Sequence, residues 1–529
     1  MIFLKAAIKT IVANNPSKKR QQRDFFLLLL TVILFYLAFP SGGYGNLAWL
    51  VMIPILIALN NINSSRYAFM LGLLAATLGW MLSIWWVVGG LAKVTFSQNN
   101  IVIPFVFLFC LISALPYAVA ALLQAKFNWG MNILGTLKSA AIFTLLINFI
   151  PHLLPGNLAH SLYQSPAQIQ LLSFGGVPLL FFIVHWVNAL LACAIYHWRS
   201  NQQTTIHCLS LALFIGLANF TYGKLVTSAN FALSSSQPSI TIAMVQPNFD
   251  ITLRTREDWL TQAPLLMQLI SQVSHQEEVD LIVLPELPPP ISYHGFFKDR
   301  SLFNEVINNK SVLITSISFD GKNLNESQNY FNAIELIQHQ QLTGQYQKQV
   351  LVPFGEYLPF ENKYPLLRQL FPDAPNYQAG TKPALISFDN QKQTINLVPL
   401  ICYEAVFSEL VREGVDLGGE LFVNTVNDAW FGDTAGRDVH LALALYRTVE
   451  FRKPLVRVTN NGISSIFNAQ GEIIPDSTIA SFSAGVSITK VFIPQTKSFY
   501  QNYPNFFMIL FLMLSGYAIM SGRALSYGK

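Results

Sequence analysis

The stretch Leu397-Val398-Pro399-Leu400-Ile401-Cys402-Tyr403-Glu404 decides how the second half of this 529-residue chain folds. Its apolar run predicts a buried strand, and the polar residues that follow predict a turn into a helix over 404–413. Such a strand-to-helix turn exposes the side chain at its apex and directs backbone N–H groups toward the same point. Cys402 is therefore a candidate nucleophile; the alternative is a small apolar side chain buried at the end of a strand.

Segments with strand and helix patterns alternate on both sides of that stretch. Strands separated by helices indicate a layered α/β domain, and strands joined only by turns imply that part of the sheet is antiparallel. The predicted strands are 239–246, 281–285, 311–319, 329–337, 395–402, 421–427, 454–459 and 462–468, and the predicted helices are 256–277, 404–413 and 438–452.

Two charged residues stand in unusual places relative to these strands. Glu286 directly follows the apolar strand 281–285, where a buried carboxylate is costly unless a raised pKa serves proton transfer. Lys348 lies just before another apolar stretch, 350–354. Each position alone is weak support for a catalytic site.

Cysteine usage also singles out Cys402. The other three cysteines, Cys110, Cys193 and Cys208, lie in long apolar segments, so Cys402 is the only thiol in the more polar half of the chain. Structural cysteines in an oxidising compartment usually occur in pairs. A single thiol in such a compartment is favoured as a reactive group.

The first 236 residues have the composition of a membrane protein. Over the whole chain 52% of residues are hydrophobic and 12% are charged, which is too apolar for an ordinary soluble protein. Of the 28 acidic residues, only Asp24 precedes position 237. Segments able to cross a hydrocarbon core of ~30 Å as helices are predicted at 25–40, 46–62, 67–90, 101–124, 139–155, 168–197, 206–223 and 503–522.

Basic residues in the short loops predict the orientation of these spans. The N-terminal tail is rich in Lys and Arg, and Arg66, Lys126, Lys138 and Arg199 lie in alternate loops. Because such residues concentrate on the cytoplasmic side, both termini are expected in the cytoplasm. The predicted domains are a transmembrane domain of seven helices at 1–223, an extracytoplasmic domain at 237–495 and a final transmembrane helix at 503–522.

Several functional classes find less support in the sequence. A transporter usually carries paired charges at mid-membrane depth or repeated spans, and neither is visible. A Cys-His protease would need a partner histidine, but His440, at the start of a predicted helix, fits a surface or capping role better. The net charge of +5 gives no reason to expect nucleic acid. No metal-ligand spacing or phosphate-binding glycine loop stands out, so neither a metal nor a cofactor is expected.

Three segments together resemble the catalytic motifs of the nitrilase superfamily, namely Pro285-Glu286, Lys348 and Cys402-Tyr403-Glu404. With the many spans, three longer runs resemble more specifically the apolipoprotein N-acyltransferase family. The resemblance implies an α-β-β-α sandwich with a Glu-Lys-Cys triad, attached to a bundle of about eight spans. The longer runs are Leu351-Val352-Pro353-Phe354-Gly355-Glu356-Tyr357, Asn427-Asp428-Ala429-Trp430-Phe431-Gly432-Asp433 and Arg457-Val458-Thr459-Asn460-Asn461-Gly462-Ile463.

The resemblance implies acyl transfer in two halves. A phospholipid gives its sn-1 acyl chain to Cys402 as a thioester, and the chain then passes to the α-amine of the S-diacylglyceryl cysteine of an apolipoprotein. Glu286 is expected as the general base and Lys348 as the cation that stabilises the oxyanion. The supporting residues implied by the resemblance are Glu356, Tyr403 and Glu404.

The expected setting is the bacterial inner membrane, with the catalytic domain on the periplasmic side. The chain departs from the family pattern at Arg254-Thr255, where Lys-Trp is common; here Trp259 follows four residues after Thr255. The alternative function is a membrane-tethered amidase of the nitrilase type, in which water rather than an amine attacks the thioester.

Overall fold

In the computed structural model, residue contacts divide the chain into two compact units. The helical unit contains Met1–Trp85, Ile103–Thr227 and Asn502–Lys529, and the α/β unit contains Trp86–Val102 and Ser228–Gln501. The structure describes residues 17–60, 62, 64–95, 99–149, 156–230, 237–250, 256–286, 300–319, 330–372, 374–390 and 393–526.

The secondary-structure elements are numbered here in chain order. The α-helices are α1 Lys18–Ala38, α2 Ile53–Leu59, α3 Ser65–Ser83, α4 Trp86–Thr95, α5 Asn99–Phe127, α6 Ile133–Phe149, α7 Leu172–His197, α8 Gln202–Asn230, α9 Arg256–Ser274, α10 Arg300–Ile307, α11 Leu366–Leu370, α12 Ser408–Asp416, α13 Gly436–Phe451, α14 Phe499–Asn502 and α15 Phe506–Ser526. The strands are β1 Ser239–Gln246, β2 Leu281–Val283, β3 Ser311–Phe319, β4 Tyr330–Gln338, β5 Gln341–Gln347, β6 Ile386–Asp389, β7 Thr394–Ile401, β8 Leu421–Val426, β9 Leu455–Thr459, β10 Ser465–Phe467 and β11 Gly485–Phe492.

The helical unit confirms the transmembrane character that the composition predicts. Within the described residues, five helices (α1, α3, α5, α7 and α8) are long and apolar enough to cross a membrane. Shorter apolar helical segments at Gly45–Leu59, Ile133–Asn148 and Phe506–Ser521 overlap the other three predicted spans, and the second begins six residues earlier than its predicted span 139–155. The number of eight spans stays a prediction.

The predicted span 67–90 is wrong only in its last seven residues, 84–90. Helix α3 ends at Ser83, and the separate helix α4 begins at Trp86 and belongs to the α/β unit. There the ring of Trp86 meets the ring of Phe431 edge-on, with 4.9 Å between the centroids. Val88 and Ala92 of this segment are buried by protein, and hydropathy alone does not distinguish that from burial in lipid.

Asn188 shows how the helical unit satisfies an interrupted backbone. Its side-chain oxygen accepts a hydrogen bond from the N–H of Met52 at 2.8 Å. Its amide nitrogen donates to the carbonyls of Ala48 at 2.9 Å and Val184 at 2.8 Å. Ala48 and Met52 lie where the chain passes from a 3-10 turn into α2. Backbone groups left unpaired there would be costly, because lipid offers no hydrogen bonds.

The acidic residue of α1 is surrounded by groups that stabilise its charge. Asp24 is fully buried and lies 2.7 Å from Arg23 and 3.6 Å from Arg20. The hydroxyl of Tyr67 donates to the same carboxylate at 3.2 Å, which links α1 to α3. In this cluster the cations outnumber the carboxylate.

The α/β unit contains two sheets. One has six strands in the order β11-β1-β2-β3-β4-β5, and the other has five in the order β10-β9-β8-β7-β6. Each sheet has three parallel strands, β1-β2-β3 or β7-β8-β9, flanked by antiparallel strands. The hydroxyl of Thr459 at the end of β9 donates to Gln246 at the end of β1 at 3.2 Å, which ties the two sheets together.

Helices lie against both sheets and complete the sandwich. Leu266 and Ile270 of α9 and Phe303 of α10 share one core with Val245 of β1 and Ile282 of β2. Helix α12 packs against β7, and α13 packs against β9. The predicted α-β-β-α architecture is therefore confirmed.

The sequence patterns miss some elements of this unit. Strand β5 (QLTGQYQ) is a polar edge strand whose side chains are mostly exposed, so it lacks the apolar alternation of a half-buried strand. Strands β6 and β11 also escape the pattern. The single helix predicted at 404–413 is wrong, because a 3-10 helix, Cys402–Val406, and α12 are separated at Phe407 by an extended residue (φ −96°, ψ 104°).

Candidate active site

The turn after β7 presents Cys402. The strand ends at Ile401, one residue earlier than predicted, and Cys402 opens the 3-10 helix with φ of 52°. A positive φ is uncommon for a residue with a side chain and persists only where the surroundings enforce it. Cys402 is partly accessible, whereas the other three cysteines are buried.

Two carboxylates lie around one buried ammonium group. The Nζ atom of Lys348 is 2.9 Å from Oε1 of Glu356 and 3.9 Å from Oε1 of Glu286. Lys348 is only 1% exposed, so these contacts are little screened by water. The N–H of Val352 donates to the second oxygen of Glu356 at 2.8 Å, which leaves Oε1 directed at Lys348.

Asn332 connects the same two carboxylates from β4. Its amide nitrogen donates to Glu286 at 2.9 Å and to Glu356 at 3.1 Å. Its backbone carbonyl accepts from the N–H of Lys348 at 2.8 Å. Asn332 was not among the predicted site residues. The signal available in the sequence was a polar amide near the start of the apolar strand 329–337, and such residues are ambiguous without tertiary contacts.

The thiol of Cys402 joins this cluster through Glu286. The charges of Glu286 and Lys348 both act on the Cys402 sulfur: Glu286 raises the pKa of the thiol, and Lys348 lowers it. The structure thus brings Glu286, Lys348 and Cys402 together, with Glu356 beside Lys348. A proton acceptor, a cation and a nucleophile close to one another can form and break an acyl-thioester.

The electrostatics of the cluster favour a protonated thiol at rest. Burial raises the pKa of Cys402 well above its usual value, the Glu286 charge adds to that, and Lys348 opposes it. Burial also raises the pKa of Glu286, against the opposing charge of Lys348. For Lys348, burial opposes the charged form, but Glu356 and Glu286 outweigh it and raise the pKa. Lys348 is therefore a fixed cation, and the Cys402 thiol and the Glu286 carboxylate beside it can exchange a proton.

Glu404 ties the nucleophile turn to the end of β5. Its Oε1 atom accepts from the Tyr346 hydroxyl at 2.6 Å and from the N–H groups of Gln349 at 2.7 Å and Val350 at 3.2 Å. Its Oε2 atom accepts from the N–H of Ile401 at 2.9 Å. These bonds hold the segment that follows Lys348 against the turn that carries Cys402.

Tyr403 lies beside the nucleophile but points its ring along the turn. The ring packs edge-on against Phe407, with centroids 4.8 Å apart. Burial raises the pKa of its hydroxyl. The side chain supports the turn, and the backbone N–H follows directly after Cys402.

A second polar cluster lies behind the turn and uses the two remaining motifs. Arg457 is fully buried and donates to Asn424 at 2.7 Å and to Asp428 at 3.0 Å. Nδ1 of His440 lies 2.9 Å from the other oxygen of Asp428. The amide of Asn424 donates to the carbonyl of Cys402 at 3.2 Å. Sequence reasoning did not connect these residues, because they come from separate strands and a helix.

The departure from the family pattern and the search for a metal site both depend on which residues the structure describes. Arg254-Thr255 and the side chain of Trp259 lie outside them. Over the part of the chain that is described, no group of three or more His, Cys, Asp or Glu side chains could hold a metal ion.

Two family descriptions match the chain. Residues 241–500 match the carbon-nitrogen hydrolase family, and residues 32–190 match the apolipoprotein N-acyltransferase N-terminal domain. Together the two matches support a member of the nitrilase superfamily whose N-terminal part is similar to that of apolipoprotein N-acyltransferases.

Relatives from several bacteria agree with this assignment. The chain is 26% identical over 512 residues to an apolipoprotein N-acyltransferase of Geobacter metallireducens, covering 93% of both chains. It is 24% identical over 431 residues to the enzyme of that name from Bdellovibrio bacteriovorus, covering 78% of both. Among solved structures, an amidase from Nesterenkonia sp. is 17% identical with a TM-score of 0.35, covering 48% of this chain and 90% of the amidase.

Proposed function

We propose that the chain is an N-acyltransferase that moves the sn-1 acyl chain of a phospholipid, through a thioester on Cys402, to the α-amine of the S-diacylglyceryl cysteine of an apolipoprotein. The observation that carries the proposal is the pairing of Glu286 with the buried ammonium of Lys348 at 3.9 Å, near enough to Cys402 for both charges to act on its thiol. The same chain has five described helices that are long and apolar enough to cross a membrane. The names of the relatives supply the acceptor class.

The first half-reaction forms the thioester. Glu286 accepts the proton of the Cys402 thiol, and the sulfur attacks the carbonyl carbon of the lipid ester. The ammonium of Lys348 and the N–H of Tyr403 stabilise the oxyanion of the tetrahedral intermediate, each by about 3–4 kcal/mol. The C–O bond then breaks, and the leaving lysophospholipid oxygen takes the proton back from Glu286.

The second half-reaction reverses these roles with an amine. The α-amine of the acceptor attacks the thioester carbon, and Glu286 takes one proton from the nitrogen. The C–S bond breaks, and the sulfur of Cys402 receives that proton. The same two oxyanion donors serve both halves. Because the lysophospholipid leaves before the amine attacks, the reaction follows a ping-pong order with the acyl-enzyme as its intermediate.

Glu356 and Glu404 act on the catalytic groups rather than on substrate, whereas Tyr403 acts on the oxyanion through its backbone. Glu356 holds the ammonium of Lys348 at 2.9 Å and so keeps it charged and aimed. Glu404 fixes the segment after Lys348 to the turn of Cys402 through Gln349 and Ile401. Tyr403 contributes its backbone N–H.

The membrane location follows from the substrates. Both carry acyl chains, and exposing such a chain to water costs about 0.8 kcal/mol for each CH₂ group. An enzyme embedded in the bilayer avoids that cost. We place the chain in the bacterial inner membrane, with both termini in the cytoplasm and the α/β unit on the periplasmic side.

Mass spectrometry of the acyl-enzyme tests the proposal. Purified protein incubated with phospholipid should gain one acyl group on Cys402, and hydroxylamine should remove it. Cys402→Ala should gain none, and Cys208→Ala, which changes a buried thiol of the helical unit, should behave as wild type. No adduct with any phospholipid would refute the proposal. Rapid loss of the acyl group to water without an acceptor would favour the amidase.

A further inference from the structure

We infer that Asn424 and Arg457 are positioning residues that hold the Cys402–Tyr403 peptide in place, so that the Tyr403 N–H serves as the second oxyanion donor. The inference rests on the proposed role of Cys402. This inference assigns a role to the runs 427–433 and 457–463, which the catalytic triad does not include.

Asn424 holds the carbonyl of the strained residue Cys402 and the carbonyl of Leu400, two residues before it. Its amide nitrogen donates to the carbonyl of Leu400 at 3.0 Å and to the carbonyl of Cys402 at 3.2 Å. The backbone between them bends sharply, because Cys402 has φ of 52°. One side chain on β8 therefore pins both ends of the bend.

Peptide planarity converts that contact into a direction for an N–H group. The carbonyl of Cys402 and the N–H of Tyr403 belong to one planar trans peptide, in which the two bonds point in opposite directions. With the carbonyl held on Asn424, the Tyr403 N–H points away from Asn424. Since Tyr403 is the second residue of the 3-10 helix, its N–H also precedes the helix's own hydrogen bonds.

Arg457 determines which way the amide of Asn424 faces. Its NH1 group donates to the amide oxygen of Asn424 at 2.7 Å. That bond leaves the amide nitrogen for the carbonyls of the turn. An amide rotated by 180° would place its oxygen against two carbonyl oxygens and its nitrogen against a cation, so both contacts would be repulsive.

Asp428 and His440 make the buried charge of Arg457 tolerable. Arg457 and Asp428 are both fully buried and form an ion pair at 3.0 Å. His440 holds the other oxygen of Asp428 at 2.9 Å. A Cβ atom at position 462 would collide with the carboxylate of Asp428, which explains the glycine there. The cluster is therefore built around the guanidinium, and the guanidinium is aimed at Asn424.

Two reactions of the same sulfur separate this role from a purely structural one. Acyl transfer passes through an oxyanion and needs the Tyr403 N–H. Alkylation of Cys402 by iodoacetamide has no oxyanion and needs only an accessible thiolate. Loss of the positioned peptide should therefore slow the first reaction and spare the second.

The test compares Asn424→Ala and Arg457→Lys with Arg452→Lys in the full-length enzyme. Arg452 is also buried, and it donates to the carbonyl of Ala469 rather than to the nucleophile turn. We expect acylation at saturating phospholipid to fall about 10²–10³-fold in the first two variants. The phospholipid concentration at half-saturation and the rate of iodoacetamide alkylation should change less than about threefold. Arg452→Lys should keep the wild-type acylation rate per folded molecule.

Each other outcome overturns the inference. Acylation near the wild-type rate would show that the peptide needs no support from Asn424. A parallel fall of acylation and alkylation would show that the pair only maintains the fold. Asn424→Ala decides alone if Arg457→Lys does not fold, because it leaves every charge in place. A wild-type enzyme that forms no acyl adduct would refute the proposed function instead, so the two failures are distinguishable.

Discussion

The helical unit and the α/β unit bury carboxylates in opposite ways. In the helical unit Asp24 lies 2.7 Å from Arg23 and 3.6 Å from Arg20, so positive charge is in excess. In the α/β unit Glu286 and Glu356 share the single ammonium of Lys348. Excess cations stabilise the charge of a carboxylate, whereas a second carboxylate beside a single cation helps to raise the pKa of Glu286. The first arrangement is structural, and the second suits catalysis.

Among the substitutions considered, the removal of the Lys348 ammonium should slow thioester formation the most. Lys348→Met leaves two buried carboxylates without their cation and the intermediate without one oxyanion donor. We expect thioester formation to slow by about 10³-fold or more, measured by rapid-quench mass spectrometry. The matched control is Lys453→Met, a second buried lysine whose Nζ donates to the Pro494 carbonyl at 3.3 Å. A similar loss in both variants would contradict a special role for Lys348.

Glu286→Gln should have the next largest effect. The amide keeps the size of the side chain but cannot accept the thiol proton. The rate of thioester formation should fall by about 10²–10⁴-fold. Glu335→Gln is the control, because Glu335 is also buried in the same unit but receives a hydrogen bond from Gln345 on the neighbouring strand, at 3.1 Å. A wild-type rate in Glu286→Gln would exclude Glu286 as the base.

The pH dependence of acylation tests whether Glu286 and Glu356, which share the ammonium of Lys348, influence each other. Burial raises the pKa of Glu286, and the charge of Glu356 raises it further. Glu286 must be ionised to accept a proton, so the rate should fall as the pH drops through that pKa. The acid limb should lie above the ordinary glutamate pKa of about 4.3. In Glu356→Gln the limb should move to lower pH; a limb that stays or moves upward would contradict the coupling.

A substitution in the helical unit should have the smallest effect on the reactivity of Cys402. Asn188→Leu removes three hydrogen bonds to backbone groups but no charge. We expect the free energy of unfolding in detergent to fall by about 1–3 kcal/mol. The iodoacetamide alkylation rate of Cys402 should be unchanged at temperatures where the protein is folded. Altered alkylation without a loss of stability would show that Asn188 acts on the active site.

The sequence predicts the architecture better than it predicts the contacts. The apolar strands and amphipathic helices are enough for the sandwich, because burial requires those patterns. Polar segments defeat the same reasoning: β5 is an exposed edge strand, and its pattern resembles a loop. The prediction fails at helix α4 for the converse reason, since an apolar segment partly buried by protein has the hydropathy of one that crosses lipid.

The candidate site likewise contains residues that the sequence identifies and residues that only the folded structure identifies. Glu286, Lys348 and Cys402 follow or precede apolar runs, where a polar residue is conspicuous. Asn332 and Asn424 lie inside strands, and their importance depends on which carbonyls and carboxylates face them. Those partners come from distant parts of the chain, so only the folded structure identifies them.

Single-turnover transfer tests the central claim most directly. The enzyme is first acylated on Cys402 by a phospholipid with a labelled sn-1 chain, and the lipid is removed. It is then mixed with an S-diacylglyceryl-cysteinyl peptide that has a free α-amine, or with the N-acetylated peptide as control. The account predicts that the label leaves Cys402 and appears as an amide on the free peptide only. Release of the label as free fatty acid, at the same rate with either peptide, would contradict it.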